Sequence, residues 1–334
     1  MIPYSAPSLV DELPVIDLAH WIDGTDRAAV ASALHRHAQV CGFFYLANHG
    51  IPDSLTAAVL EQTRIFFDRP VEELMQLDIA QSPIRRGYEP MAWQTLDIGS
   101  APDLKESFFM GSDLGPDHPY VRRGVPGYGA NRWLPDNSRG LATFRSTIEA
   151  YYLQVKAVSE MLLGAFALAM ALPEDYFNGA LEDPIATLRL IHYPPQPAKV
   201  EQNQIGCGAH TDWGALTLLL QDSTGGLEVC DASGQWIAAR PIEGTLLVNF
   251  GDMMPRWTNG LYHSNLHRVK NASPERHRYS LAFFHDLDYH ARVECLPAMM
   301  PASGTPLYPP CTVGEHIEEM YRKTFGTTAA TATP

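Results

Sequence analysis

The stretch CGAHTDWGALTLLLQD, residues 207–222, holds the pattern on which the fold and the chemistry of this chain depend. His210 and Asp212 stand two positions apart, and side chains at that spacing point to the same face of a β-strand. An imidazole and a carboxylate would therefore converge on one point. The apolar run that follows, from Leu216 to Gln221, predicts a buried strand directly behind this pair.

A third metal ligand is expected from NGLYHSNLHRV, residues 259–269. In a sheet of short hairpins this segment returns to a strand next to the first pair. His267 is preferred for its HRV context, and His263 is the rival. Two neutral imidazoles and one carboxylate on one face of an octahedral ion leave three adjacent positions open. That arrangement is diagnostic of non-haem Fe(II) oxygenases.

A second constellation follows in RYS, residues 278–280. Arg278 and Ser280 would share one face of a strand, where the planar guanidinium can hold a carboxylate through two hydrogen bonds and the hydroxyl can add a third. Tyr193, in the segment HYPP, can supply a further hydroxyl. Together they form a candidate carboxylate-binding site beside the metal.

The predicted secondary structure changes along the chain. Residues 26–41, a segment from Asp53 and residues 138–171 have helical spacing, whereas residues 81–135 are irregular and rich in proline and glycine. After residue 186, short strands recur between GG, SG, EG and NG pairs, which is typical of an antiparallel sandwich or barrel. We therefore predict an α+β chain with a mainly β core. Its parts would be residues 1–135, the supporting helix at 136–180, the core at 181–290, and a strand, a helix and a frayed tail at 291–334.

Composition excludes several classes of function. The net charge of −14 opposes binding to nucleic acid or to an anionic membrane surface. Five scattered cysteines without a CxxC pair favour a reducing compartment. The N-terminus lacks the pattern of a signal peptide, and the apolar run at 161–172 is shorter than the roughly 20 residues of a membrane span. We expect a cytoplasmic protein, monomeric or weakly dimeric.

Taken in order, these motifs resemble those of the isopenicillin N synthase-like group of Fe(II)- and 2-oxoglutarate-dependent dioxygenases. The likeness covers about residues 13–325. Its core motifs are HTDWGALTLLLQD, GGLEV, GTLLVNFGDMMPRWTNGLYHSNLHRV and RYSLAFF, and its amino-terminal motifs are LPVIDL, GFFYLANHGIP, RGYEP and DLKESFFMG.

The resemblance implies a distorted double-stranded β-helix, or jelly roll, with flanking helices. It implies Fe(II) on His210, Asp212 and His267, with O₂ and 2-oxoglutarate as cosubstrates. The distal carboxylate of 2-oxoglutarate would be held by the second constellation, Arg278, Ser280 and Tyr193. Plant members often carry Asn-Tyr-Tyr where this chain has residues 191–193 as Ile-His-Tyr, so one orienting amide is missing here. The implied reaction oxidises a small organic substrate, most commonly by hydroxylation, and releases succinate and CO₂.

Two related activities stay open at this point, an oxidase that does not use 2-oxoglutarate and an ethylene-forming enzyme. A non-catalytic metal-binding jelly roll and a zinc hydrolase are more remote. The HTDxG form of the motif and the Tyr-Pro-Pro segment favour 2-oxoglutarate.

The substrate is expected to be a carboxylic acid or an amino-acid derivative. Arg85 would reach inward as its anchor, while Arg86 would stay solvated; alternatively, both would pair with surface carboxylates. Trp213 and His285 lie close in sequence to the motifs of the site. The candidate pocket residues are Arg85, Tyr88, Phe108, His192, Trp213, Phe284 and His285.

Overall fold

The computed structural model describes residues 13–97, 100–135, 141–196, 204–231, 233–270 and 273–325. Two facing sheets form a distorted jelly roll. Their strands are β1 Val15–Asp17, β2 Phe43–Ala47, β3 Gly87–Glu89, β4 Glu106–Gly111, β5 Pro184–Tyr193, β6 Cys207–His210, β7 Leu216–Gln221, β8 Leu227–Cys230, β9 Trp236–Ala238, β10 Leu246–Phe250, β11 His267–Val269 and β12 Arg278–Asp288. The major sheet has eight strands in the order β1-β2-β10-β7-β12-β5-β4-β3, and the minor sheet has four in the order β6-β11-β8-β9.

Eight α-helices lie in the described part of the chain, and the longest of them packs against β7 and β12 of the major sheet. They are α1 Ala19–Ile22, α2 Arg27–Ala38, α3 Asp53–Phe67, α4 Val71–Leu74, α5 Pro119–Arg122, α6 Phe144–Ala169, α7 Met253–Trp257 and α8 Val313–Phe325. A small hairpin, β13 Arg292–Val293 and β14 Cys311–Thr312, precedes the last helix.

The long helix α6 supports the sheet from outside. Its 26 residues are long and apolar enough to cross a membrane by length and composition. However, Ile148, Val155, Leu162 and Phe166 are each fully buried in the main hydrophobic core of the protein. This helix is therefore the core helix that packs against the sheet.

Alternation along β12 decides which side chains face the site. Leu281 and Phe283 belong to the core between the sheet and the helices. Side chains two apart share a face, so the intervening residues point into the space between the two sheets. There Arg278, Ser280, Ala282 and Phe284 line a common cavity.

The predicted elements agree closely with the structure in two places. The strand at residues 216–221 and the final helix at 313–325 have the predicted bounds. The long helix spans Phe144–Ala169, so it begins later and ends two residues earlier than predicted. The predicted start at Ser138 itself lies outside the described residues, as does the tail from residue 326. The irregular segment 81–135 contributes β3 and β4, which extend one edge of the major sheet. The division into four parts stays a prediction.

Candidate metal centre

Three side chains from β6, β11 and the turn after β6 meet between the sheets. His210 ends β6, and β11 pairs with it so that His267 stands directly opposite. Asp212 lies two residues beyond the end of the strand. Its Oδ1 is 3.9 Å from Nε2 of His210 and 3.7 Å from Nε2 of His267. One ligand atom from each residue lies within 4.8 Å of the others, which suits a single metal ion.

Both imidazoles are held in the orientation that a metal ligand needs. Nδ1 of His210 donates to the carbonyl oxygen of Gly208 at 2.8 Å, and Nδ1 of His267 donates to that of Asn265 at 3.2 Å. A carbonyl can only accept, so the proton sits on Nδ1 and the lone pair of Nε2 faces the shared point. Hydrogen bonds of this kind orient ligating histidines in metal sites.

The carboxylate of Asp212 is oriented in the same way. Its Oδ2 accepts from Thr217 Oγ1 at 2.6 Å and from Asn249 Nδ2 at 2.6 Å, which leaves Oδ1 for the shared point. Thr217 and Asn249 are themselves paired across β7 and β10. One oxygen is thus occupied by the rigid sheet and the other is available, so the donor set fits one divalent ion of the iron type.

The turn after Asp212 is fixed by a close backbone approach. A Cβ on Gly214 would lie 1.8 Å from Oδ1 of Asp286, and a Cβ on Gly251 would lie 2.2 Å from the carbonyl oxygen of Gly214. The same Oδ1 of Asp286 accepts from the backbone N–H of Ala215 at 2.8 Å. Glycine is required at both positions because backbone and carboxylate fill the space of a side chain.

Burial controls the protonation of the ligands. It lowers the pKa of His267 to about 4 and also lowers that of His210. Burial alone would raise the pKa of Asp212. The nearby His267 and His210 and the hydrogen bonds from Asn249 and Thr217 lower it instead. At neutral pH the site therefore presents two neutral imidazoles and a carboxylate, the protonation states that metal binding requires.

His263, the rival third ligand, is not part of this group within the described residues. Its carbonyl oxygen would lie 2.0 Å from a Cβ on Gly42, so its backbone packs tightly at the start of β2. The HRV context therefore selects the histidine that converges with His210 and Asp212.

The predicted carboxylate-binding residues lie in the same cavity. Arg278 is 1% exposed, and its Nη1 donates to Ser280 Oγ at 3.0 Å. Its Nε donates to the carbonyl oxygen of Gly225, and its Nη2 donates to Gln221 Oε1 at 3.3 Å. The guanidinium carbon lies 4.8 Å from the ring centroid of Tyr193. Among the described residues no carboxylate neutralises this buried cation, so it suits an anionic ligand.

Strand alternation corrects three of the predicted pocket residues. Tyr88 and Phe108 are paired across β3 and β4, and both belong to the core beneath the helices. The hydroxyl of Tyr88 donates to Glu106 there. His192 faces the same side, because its Nδ1 bonds to the same Glu106 at 2.6 Å. The residues one position away, at 109 and 191, face the opposite side.

His285 is corrected for the same reason, since its Nδ1 lies 2.7 Å from Ser159 Oγ on α6. Phe284, its neighbour, does line the cavity as expected. Trp213 lies beside the metal ligands but packs edge-on against Tyr321 of α8, with ring centroids 4.9 Å apart.

Arg85 follows the alternative of pairing with a carboxylate, whereas Arg86 follows neither expectation. Arg85 pairs with Glu318 at 3.3 Å and stacks 3.4 Å above the ring of Tyr321, both on α8. Arg86 is buried rather than solvated, and its Nη1 donates to Asn131 Oδ1 at 2.6 Å. Arg86 is therefore part of the packing, and Arg85 joins the C-terminal helix to the loop before β3.

Two buried cations in the cavity, Arg189 and Lys105, are not among the site residues that the sequence indicates. Lys105 is 2% exposed, and no motif singles it out. Arg189 shares the period-two face of Tyr193 on β5. The family resemblance also implies a frequent arginine at this position, with a structural role as the alternative, so two signals in the sequence point to it. Other cavity residues outside the predicted set include Phe43, Thr217, Leu219 and Asn249.

Comparison with known proteins gives consistent matches over most of the chain. Residues 184–287 match the profile described as the 2OG-Fe(II) oxygenase superfamily, and residues 13–136 match the N-terminal profile of a non-haem dioxygenase in morphine synthesis. A 2-oxoglutarate-Fe(II) type oxidoreductase of Emericella nidulans is 40% identical, covering 94% of this chain and 90% of that protein.

Two further proteins are similar over nearly their full lengths. Homoarginine-6-hydroxylase of Oryza sativa subsp. japonica is 35% identical, covering 96% of this chain and 98% of that one. The crystal structure of a full-length Neurospora crassa protein in complex with alpha-KG and thymine superposes with a TM-score of 0.83 at 30% identity. It covers 96% of this chain and 99% of that one.

Proposed function

This chain belongs to the 2OG-Fe(II) oxygenase superfamily, and we propose that it hydroxylates a small, polar organic molecule. It is an Fe(II)- and 2-oxoglutarate-dependent oxidoreductase, in which oxidation of the second substrate is coupled to release of succinate and CO₂. One observation supports the proposal most: the metal-ligand group His210, Asp212 and His267 lines the same cavity as the cation Arg278. The cavity is partly open to solvent and is lined by both apolar and charged side chains, which suits a small molecule.

The roles of the site residues follow from their contacts. His210, Asp212 and His267 would hold the iron, which supplies the activation of O₂ when it is bound. Arg278 and Ser280 would hold the distal carboxylate of 2-oxoglutarate, because a buried guanidinium without a carboxylate partner gains most from an anion.

The rest of the cavity is arranged to protect and orient. Phe43, Leu219 and Phe284 form apolar walls that exclude water from the reacting atoms. Thr217 and Asn249 keep one oxygen of Asp212 directed at the metal position. Holding the substrate carbon at a fixed distance from the oxidant is the main contribution that the protein makes to such a reaction.

The narrower substrate class, a carboxylic acid or an amino-acid derivative anchored by Arg85, receives mixed support. A relative named homoarginine-6-hydroxylase supports an amino-acid derivative, while the Neurospora crassa structure with thymine supports a small heterocycle. Arg85 itself already contacts Glu318 and Tyr321, so an acid would have to displace Glu318. We therefore propose the broader class of small, polar organic molecules. The experiment tests both acids or amino-acid derivatives and heterocycles.

The experiment is an assay of purified protein, first without and then with O₂, over amino acids, small acids, amides and heterocycles. Succinate release measures the use of 2-oxoglutarate, and mass spectrometry measures the change in each candidate substrate. A gain of one oxygen atom supports hydroxylation, and a loss of two hydrogens indicates desaturation or ring closure. Ethylene in the headspace would indicate the ethylene-forming alternative, and substrate oxidation without 2-oxoglutarate would indicate the oxidase alternative.

We further propose a cytoplasmic location and a monomer or weak homodimer, on the charge and cysteine content of the chain. Sedimentation velocity over a range of concentrations tests the assembly, and fractionation of cells that express the tagged protein tests the location.

A further inference from the structure

Three cations line the cavity, and their partners differ. Lys105 is paired with Asp103, and Arg189 is paired with Glu89, both as buried ion pairs. Arg278 has no carboxylate partner within the described residues. Of the three cations, Arg278 is therefore the one without a carboxylate in contact, and it stands at the end assigned to 2-oxoglutarate.

Arg189 has a spare hydrogen-bond donor in this cavity. Its Nε donates to Ser107 Oγ at 2.9 Å, and its Nη2 donates to Glu89 Oε2 at 2.5 Å and to Gln94 Oε1 at 3.1 Å. For Nη1 the described part of the chain provides no hydrogen-bond partner. The side chain of Arg189 is 10% exposed and lines the cavity, so this N–H can meet an acceptor on a molecule that occupies the cavity.

The position of Arg189 separates it from the 2-oxoglutarate end. Where β5 pairs with β12, Tyr193 stands opposite Arg278, and Arg189 stands opposite Ala282. Four residues of an antiparallel strand span about 14 Å. Arg189 therefore serves a different part of the cavity, on the side of Phe284.

The formal charges of the loaded site already balance. The chain contributes Asp212 and Arg278, whose charges cancel, and a divalent metal cancels the two carboxylates of 2-oxoglutarate. Any further net charge on a substrate would be buried without compensation, which is expensive in a cavity of this kind.

We propose that Arg189 is a substrate-recognition residue, which donates through Nη1 to an oxygen acceptor on a substrate that carries no net charge. This inference rests on the proposed function, because it takes Arg278 to be occupied by 2-oxoglutarate. Glu89 has two roles in it: it cancels the charge of Arg189 and fixes the plane of the guanidinium.

The test is calorimetric binding to protein loaded with Mn(II) and 2-oxoglutarate without O₂. The probes are amide and carboxylate pairs with the same carbon skeleton: benzamide and benzoate, phenylacetamide and phenylacetate, and cyclohexanecarboxamide and cyclohexanecarboxylate. We expect the amides to bind at least about tenfold more tightly than their carboxylates. Tighter binding of the carboxylates, or no measurable binding of any amide, would overturn the inference.

Variants then assign the effect to Arg189. Arg189→Met together with Glu89→Gln removes both buried charges, so no carboxylate is left unpaired. It should weaken amide binding about tenfold or more, the loss of one hydrogen bond from a charged donor. Glu89→Gln alone leaves the cation unbalanced and should shift the preference toward carboxylates. Unchanged amide affinity in the double variant would also refute the assignment.

A matched pair outside the cavity serves as the control. Arg268 and Glu228 form a similar ion pair across β11 and β8, with Nε to Oε2 at 2.7 Å, but they do not line the cavity. Arg268→Met with Glu228→Gln should leave amide affinity unchanged. Binding of 2-oxoglutarate is measured on every variant: if the wild type does not bind it, the proposed function fails, whereas normal binding with a preference for carboxylates refutes only this inference.

Discussion

Replacement of Arg278 by lysine tests the assignment of the 2-oxoglutarate site most directly. The substitution keeps the positive charge but replaces a planar, five-donor group by a single nitrogen. In the structure the guanidinium spans Gly225, Ser280 and Gln221, at 2.8, 3.0 and 3.3 Å. One ammonium group cannot keep these contacts and also hold a carboxylate through two parallel bonds.

The size of the effect follows from the hydrogen bonds that lysine cannot make. A hydrogen bond to a charged group contributes about 1.5–3 kcal/mol, and about 1.4 kcal/mol corresponds to a tenfold change in affinity. Removal of one such bond to the ligand should therefore raise the Kd for 2-oxoglutarate by roughly tenfold to 100-fold. Arg278 is 1% exposed. The loss of affinity for 2-oxoglutarate should therefore be larger than for a contact at a solvent-exposed residue.

The assay is anaerobic calorimetric titration of 2-oxoglutarate into the Mn(II)-loaded protein, followed by the apparent KM from succinate release. Arg268→Lys is the control, since Arg268 holds Glu228 and stacks on Trp236 outside the cavity. An Arg278→Lys protein that is folded and binds 2-oxoglutarate as tightly as the wild type would refute the reasoning. It would also move Arg278 toward the role of a substrate anchor.

Three further predictions concern the metal centre and its frame. His267→Ala should abolish stoichiometric Fe(II) binding and turnover, whereas His263→Ala should keep both; metal analysis of the two variants decides between them. Gly214→Ala should cost about 1–3 kcal/mol of stability and weaken metal binding, because its Cβ would lie 1.8 Å from Asp286 Oδ1. Gly179→Ala, with open space around it, is the control for urea unfolding. The metal-free protein should lose stability as the pH falls from about 6.5 to about 4. Burial lowers the pKa of His267 to about 4, so the unfolded chain binds more protons in that window. A free energy of unfolding that stays constant over that window, measured with chelator present, would contradict it.

The sequence by itself determined those features that depend on residues close together in the chain. Period-two alternation placed Arg278 and Ser280 on one face of a strand, because neighbouring side chains on a strand must point to opposite sides. The apolar run at 216–221 and the amphipathic segment at 313–325 became the predicted strand and helix. The HxD pair and the HRV histidine also came from sequence alone, since their spacing and context are local.

Tertiary structure alone decided which face of a doubly buried strand meets the site. Each face of β4 carries one phenylalanine, so the sequence offered no reason to choose Phe109 over Phe108 as the residue on the side of the space between the sheets. The partners of the buried and half-buried ion pairs could not be predicted from the sequence either. Arg189 meets Glu89 across 100 positions, and Arg85 meets Glu318 across 233. Such partners are selected by the approach of distant segments, which depends on how the sheets and the C-terminal helix pack together rather than on any pattern near either residue.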